Sequence, residues 1–148
     1  MMTNSQYINA YKKTQQSSSS VTSSHEIVKT LMKELINSMK KIVLDIQDEG
    51  KRKQNQFTVD KAFEKKTARH KSKNVTKSLS IIYGLQTCLD FDKAPEIAIN
   101  LFQLYEFVRQ QVIKGFTKKD AIVVIQASEI ITEVLSGWKD MSTQEGNS

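Results

Sequence analysis

A single proline, Pro95, stands in 148 residues, and only five glycines accompany it. So few breakers leave little room for the many tight turns that short strands need, while they permit long uninterrupted helices. The chain is therefore expected to be all-α. Which helices form follows from the spacing of the apolar residues.

Ser23 and Glu26 have capping-box spacing, and a helical period begins at once. Ile27, Leu31, Leu35, Met39, Ile42 and Ile46 line one face, and Val28, Met32, Ile36 and Val43 widen it to roughly half the circumference. Lys29, Lys33, Asn37, Lys40 and Lys41 fill the other side, and Gly50 is the expected stop. A second helix carries Val75, Leu79, Ile82, Leu85 and Leu89, with Ile81 and Cys88 at its edge. Gly84 falls on the opposite side, where a helix normally prefers a larger residue. Asp90 and Asp92 supply helix-start chemistry, and Pro95 suits a first turn. Ile97, Leu101, Leu104, Tyr105, Val108 and Val112 then form a third stripe, expected to end at Gly115. Thr117 and Asp120 open a fourth helix, whose stripe runs from Val123 and Val124 through Ala127, Ile130, Ile131, Val134 and Leu135 to Trp138.

Four amphipathic helices, the last three joined by short links, predict an antiparallel four-helix bundle over residues 24–140. Residues 1–23 are polar and serine-rich, with too little apolar surface to offset the entropy of ordering, and read as a flexible N-terminal arm. Residues 141–148 read as a polar tail. The net charge of +6 is local: residues 51–77 hold ten Lys/Arg and two Asp/Glu, and the rest of the chain holds 12 basic and 14 acidic residues. The stretch 51–73 is weakly patterned and is expected to be a basic connection that turns helical partway.

Chemistry that needs clustered groups is not visible. The lone cysteine, Cys88, excludes an internal disulfide and a multi-cysteine metal site, and fits a reducing compartment. His25 and His70 lie at a helix start and in the basic stretch, with no zinc spacing and no Glu-x-x-His pair. No phosphate-cradling glycine loop or nucleophile elbow occurs. No signal-peptide run is visible at the N-terminus, and no segment reads as long enough to span a bilayer. The expectation is a cytosolic binding protein without catalytic, cofactor or metal residues and without direct membrane insertion.

Some apolar residues exceed what a bundle core needs. With Ile97 at zero on a 100° wheel, the third stripe spans about −20° to +80°, while Phe102, Ile113 and Ile99 fall near about 140°, 160° and 200°. On the fourth helix Ile122 and Ile125 stand away from the main stripe. These five are candidate partner-binding residues for helix-in-groove recognition along the third and fourth helices. Tyr7, Ile8 and Tyr11, close together in an otherwise polar arm, are three more, suited to covering such a groove.

Several strings, in this order along the chain, resemble the flagellar secretion chaperones called FliS, which bind flagellin. They are Tyr7-Ile8-Asn9-Ala10-Tyr11-Lys12-Lys13 with its serine-rich spacer, Leu85-Gln86-Thr87-Cys88-Leu89-Asp90, Glu96-Ile97-Ala98-Ile99-Asn100-Leu101, Leu104-Tyr105-Glu106-Phe107-Val108, and Thr132-Glu133-Val134-Leu135-Ser136-Gly137-Trp138-Lys139. The basic stretch 51–73 departs from the family, being longer than its usual link between the first two helices. The resemblance implies a cytosolic chaperone that holds the C-terminal helical region of flagellin. It would prevent premature polymerisation and support export by the flagellar type III apparatus. It also implicates the arm, through Ile8 and Tyr11, in covering the groove and in docking to an export gate component.

Two other readings compete. A nucleic-acid-binding bundle would use Lys51, Arg52, Lys53, Lys61, Lys65, Lys66, Arg69, Lys71 and Lys73 on phosphates, with steep salt dependence. Against it, Phe57 and Phe63 are the only aromatics there and no reading motif is present, so no nucleic-acid partner is expected. A helical adaptor of another motility complex is the second.

Overall fold

The apolar periods fold as helices in a computed structural model that describes residues 24–54 and 61–146, with side chains over 24–51 and 73–140. Four helices are present: α1 Ser24–Gln54, α2 Lys61–Thr87, α3 Pro95–Lys118 and α4 Ala121–Gly146. No strand occurs among the described residues. The expected all-α bundle is what forms. The arm, with Tyr7, Ile8 and Tyr11, lies outside the described residues.

Seven residues separate α2 from α3 and only Lys119 and Asp120 separate α3 from α4, so each pair must run antiparallel. Pairing across α1 has the same sense. Near its start, His25 stacks on Trp138 of α4 with ring centroids 4.7 Å apart, and Trp138 Nε1 donates to the His25 carbonyl at 3.1 Å. Near its end, Glu49 meets Lys119, just ahead of α4, at 3.1 Å. On the other flank, Asn74 Nδ2 of α2 donates to Asp45 Oδ2 at 2.9 Å, and Lys77 pairs with Glu34 at 3.1 Å. α1 thus lies between α2 and α4, and α3 closes the ring opposite.

The core is made from one stripe of each helix. Met32, Leu35, Met39 and Ile42 of α1 meet Ile82 and Leu85 of α2, Tyr105, Val108 and Val112 of α3, and Val124, Ala127 and Ile131 of α4, all essentially sealed from solvent. Each large aliphatic side chain so buried contributes about 1.5–3 kcal/mol before entropy is counted. Cys88 packs half-buried at the edge of this core, where burial pushes its thiol up and disfavours the reactive thiolate.

The helix ends differ from the sequence expectations in instructive ways. Gly50 does not stop α1, which runs on to Gln54, and α2 begins at Lys61. The stretch 51–73 is therefore helical on both sides of residues 55–60, which lie outside the description. Its Lys, Arg, Gln and Ala residues are good helix formers, and extending an existing helix avoids a new nucleation cost. Likewise Gly115 does not end α3. The helix continues to Lys118, and Lys119 takes the left-handed cap with φ 57°. Gly115 serves packing instead: a Cβ there would collide with the Val124 side chain and lie 3.0 Å from the Asp120 carbonyl. Thr117 stays inside α3, so the capping box does not form, and Asp120 alone caps α4, its Oδ1 accepting from the Ile122 amide at 3.2 Å.

Pro95 occupies the first turn of α3 as expected, but Ala94 precedes it without a side-chain cap. Asp90 spends its carboxylate on the turn before, accepting from the Asp92 and Lys93 amides at 3.1 and 3.0 Å. Gly137 is passed without a break, and the expected polar tail continues as helix to Gly146. Contrary to the sequence expectation, Ala121–Asp140 is long and apolar enough to cross a bilayer by length and composition. Val124, Ala127, Ile131 and Leu135 supply the buried share of it, Val123, Ile125, Ile130 and Val134 are half-buried, and Ile122, Glu129 and Glu133 are exposed.

Candidate partner-binding surface

Helix α3 carries the surplus because it presents one stripe inward and has apolar residues on both remaining flanks. Its inward side is marked by Ala98, Tyr105, Val108, Val112 and Gly115. Ile97 was expected in that stripe but is 61% exposed. It lies two residues after Pro95, in the first turn, where the buried role passes to Ala98.

Two contacts fix which flank faces which neighbour. Gly115 closes on Val124, so that side of α3 meets α4. Gln86 Nε2 of α2 donates to Glu106 Oε1 at 2.9 Å, so the side bearing Glu106 meets α2. Ile99, Phe102 and Ile113 lie within about 40° of Glu106 on the wheel and share that second flank. Ile99 and Ile113 are exposed, while Phe102 is half-buried against the core with its ring 6.3 Å from that of Phe91. The antiparallel register set by the Gln86–Glu106 bond brings half-buried Leu79 of α2 level with Ile113.

The five candidate groove residues described therefore do not share one groove. Ile99, Phe102 and Ile113 border α2, whereas Ile122 and Ile125 belong to α4 on the far side of α3. Ile122 is 65% exposed and Ile125 half-buried. Sequence reasoning missed Phe107, 48% exposed and about 280° around the α3 wheel, toward α4. It also missed Leu44 and Tyr83, both exposed. A wheel centred on the true buried stripe would have flagged Phe107.

A charged cluster sits in the middle of the α2 flank. Arg109 donates from Nε to both Glu106 oxygens at 3.1 and 3.2 Å and from Nη2 to Oε2 at 2.9 Å. Gln86 is itself buried and adds the fourth hydrogen bond. The Arg109 guanidinium, helped by the Gln86 amide, holds the Glu106 carboxyl below the usual carboxylate range. Among the described residues no three His, Cys, Asp or Glu side chains gather in a way that could hold a metal. The His25 ring is engaged with Trp138, and the Tyr105 phenol is pushed well above its ordinary range by burial, then by Cys88.

The described residues thus form an antiparallel helical bundle with a full core and with apolar side chains left exposed on α3 and α4. The family model described as flagellar protein FliS matches residues 7–145. The chain belongs to that family. Among its relatives, the flagellar secretion chaperone FliS of Vibrio cholerae is 30% identical over 141 residues, covering 95% of this chain and 91% of the relative. The flagellar secretion chaperone FliSB of Pseudomonas aeruginosa is 32% identical over 81 residues, 55% of this chain and 64% of the relative. The FliS of Salmonella typhimurium is 29% identical over 73 residues, 49% of this chain and 54% of the relative. The family is one of flagellar secretion chaperones and not of enzymes, in line with the sequence expectation. The match begins at Tyr7, so the aromatic string of the arm falls within the family pattern.

Proposed function

We propose that this chain holds the C-terminal helical region of flagellin in the cytosol, keeps it from polymerising, and hands it to the flagellar export apparatus. Membership of the secretion-chaperone family over residues 7–145 carries the reading. The exposed apolar flanks of α3 support it. A helix that buries its apolar face only in a finished filament needs a temporary partner of the same kind, and a bundle with surplus apolar strips provides one. Ile99, Phe102 and Ile113 on one flank, with Ile122 and Ile125 on α4, are the proposed contact residues. Wrapping a long segment costs ordering entropy, which offsets much of the contact energy and keeps release feasible.

The arm, through Tyr7, Ile8 and Tyr11, is proposed to cover these strips before the client arrives and to dock on an export gate component afterwards. The test is capture of a flagellin C-terminal segment at low and high salt. Retention that survives high salt supports the chaperone. Failure to hold flagellin, with salt-sensitive retention of DNA or RNA, would show that the basic stretch 51–77 is the working surface instead.

A further inference from the structure

The α2-facing flank of α3 has a spacing that a merely sticky surface does not require. Ile99, Phe102, Glu106, Arg109 and Ile113 follow one another at intervals of 3, 4, 3 and 4 residues. That is the seam of a coiled coil, here turned outward, and it runs about 21 Å at 1.5 Å per residue. Apolar residues hold both ends and an ion pair holds the middle.

The middle is organised. The hydrogen bonds that the Glu106 carboxylate accepts come from Arg109 and Gln86, and the buried Gln86 amide ties it to α2. Those bonds use the Nε hydrogen and one Nη2 hydrogen of Arg109. A guanidinium has five N–H donors, so three are left without a partner among the described residues. The Arg109 side chain is 41% exposed and that of Glu106 30%, so a helix laid along the seam would strip water from both. An apolar residue opposite Arg109 would leave buried donors unpaired, whereas an acceptor would satisfy them. A single polar group in an apolar seam sets register in this way, at some cost in affinity.

We propose that the Gln86–Glu106–Arg109 cluster fixes the register of a client helix docked between α2 and α3, by demanding a carboxylate or amide oxygen from that helix midway between two apolar anchors. The inference rests on the chaperone reading and adds a selection rule to it. The client segment recognised here has the mirrored pattern: apolar residues at both ends of a two-heptad stretch, with Asp, Glu, Asn or Gln between them.

A photo-crosslinking amino acid at position 110, exposed and beside the seam, tests this with a flagellin C-terminal segment as probe and mass spectrometry as readout. The full chain should mark one client residue and its immediate neighbours. Arg109→Met, similar in length but without donors, compared at a client concentration that saturates capture, should let the marks spread by three, four or seven residues along the client. Arg109→Lys, which retains N–H donors, should restore the single position. Thermal unfolding of each variant shows whether the bundle is intact. A single position persisting in Arg109→Met, several positions in the parent chain, or loss of capture in a folded Arg109→Met would each overturn the proposal. A parent chain that captures no flagellin at all would instead bring down the chaperone reading, and this inference with it.

Discussion

Glu106 shows how one side chain serves two masters. Its hydrogen bonds join α2 to α3, yet its carboxylate lies on the surface that a partner would cover. Because its folded pKa is lowered by Arg109 and Gln86, its contribution to stability is present above the unfolded value near about 4.3 and is lost as pH falls through the lowered one. Solvent screening keeps the contribution small, about 0.5 kcal/mol. Glu106→Gln should therefore be less stable than the parent by that amount at neutral pH, and the difference should vanish below the folded pKa. Urea unfolding followed from pH 7 downward through the acid range measures both. Trp138 is a second case. The sequence marks it as the end of an apolar stripe, but its bond to the His25 carbonyl and its stacking on the His25 ring join residues 113 positions apart, and no local pattern announces that.

Among the elements, α1 was the most legible, since Val28 to Ile46 repeats as a helix core should and is buried as such. Its end was not legible. Gly50 has the local chemistry of a stop, but nothing lies within 4 Å of a Cβ built there, and a helix already nucleated passes through an open glycine at modest cost. Gly115 has the same letter and the opposite reason. It was read as a terminator because its other role, admitting Val124 to the α3 backbone, depends on where α4 turns back. Gly115→Ala should therefore destabilise the bundle by about 1–3 kcal/mol through overpacking, while Gly50→Ala should be neutral or stabilising. A melting comparison of the two variants separates a packing glycine from an idle one. The split of the candidate groove has a related cause. Helical wheels place Ile99, Phe102 and Ile113 correctly around α3, but they do not say which flank faces which neighbour. The Gln86–Glu106 bond does.

For the molecule as a whole, the number of helices, their antiparallel order and most of the core follow from the period of the apolar residues and the scarcity of breakers. The family pattern adds the chaperone class over residues 7–145. What the period alone cannot separate is apolar surface that closes the bundle from apolar surface left for a partner, since both obey the same spacing. Exposure shows only which residues remain available: Ile99, Ile113 and Ile122 are open to solvent while Val108, Val112 and Ile131 are sealed. Under the proposed function the open set binds the client and the sealed set only folds. Calorimetric titration of a flagellin C-terminal segment into the parent chain and into the Ile99→Ser, Ile113→Ser, Ile122→Ser triple variant tests it most directly. The expected result is a negative heat-capacity change for the parent, at least a tenfold loss of affinity (about 1.4 kcal/mol) in the triple variant, and a melting temperature nearly unchanged. A triple variant that binds as tightly as the parent, or that loses binding only because it no longer folds, would contradict it.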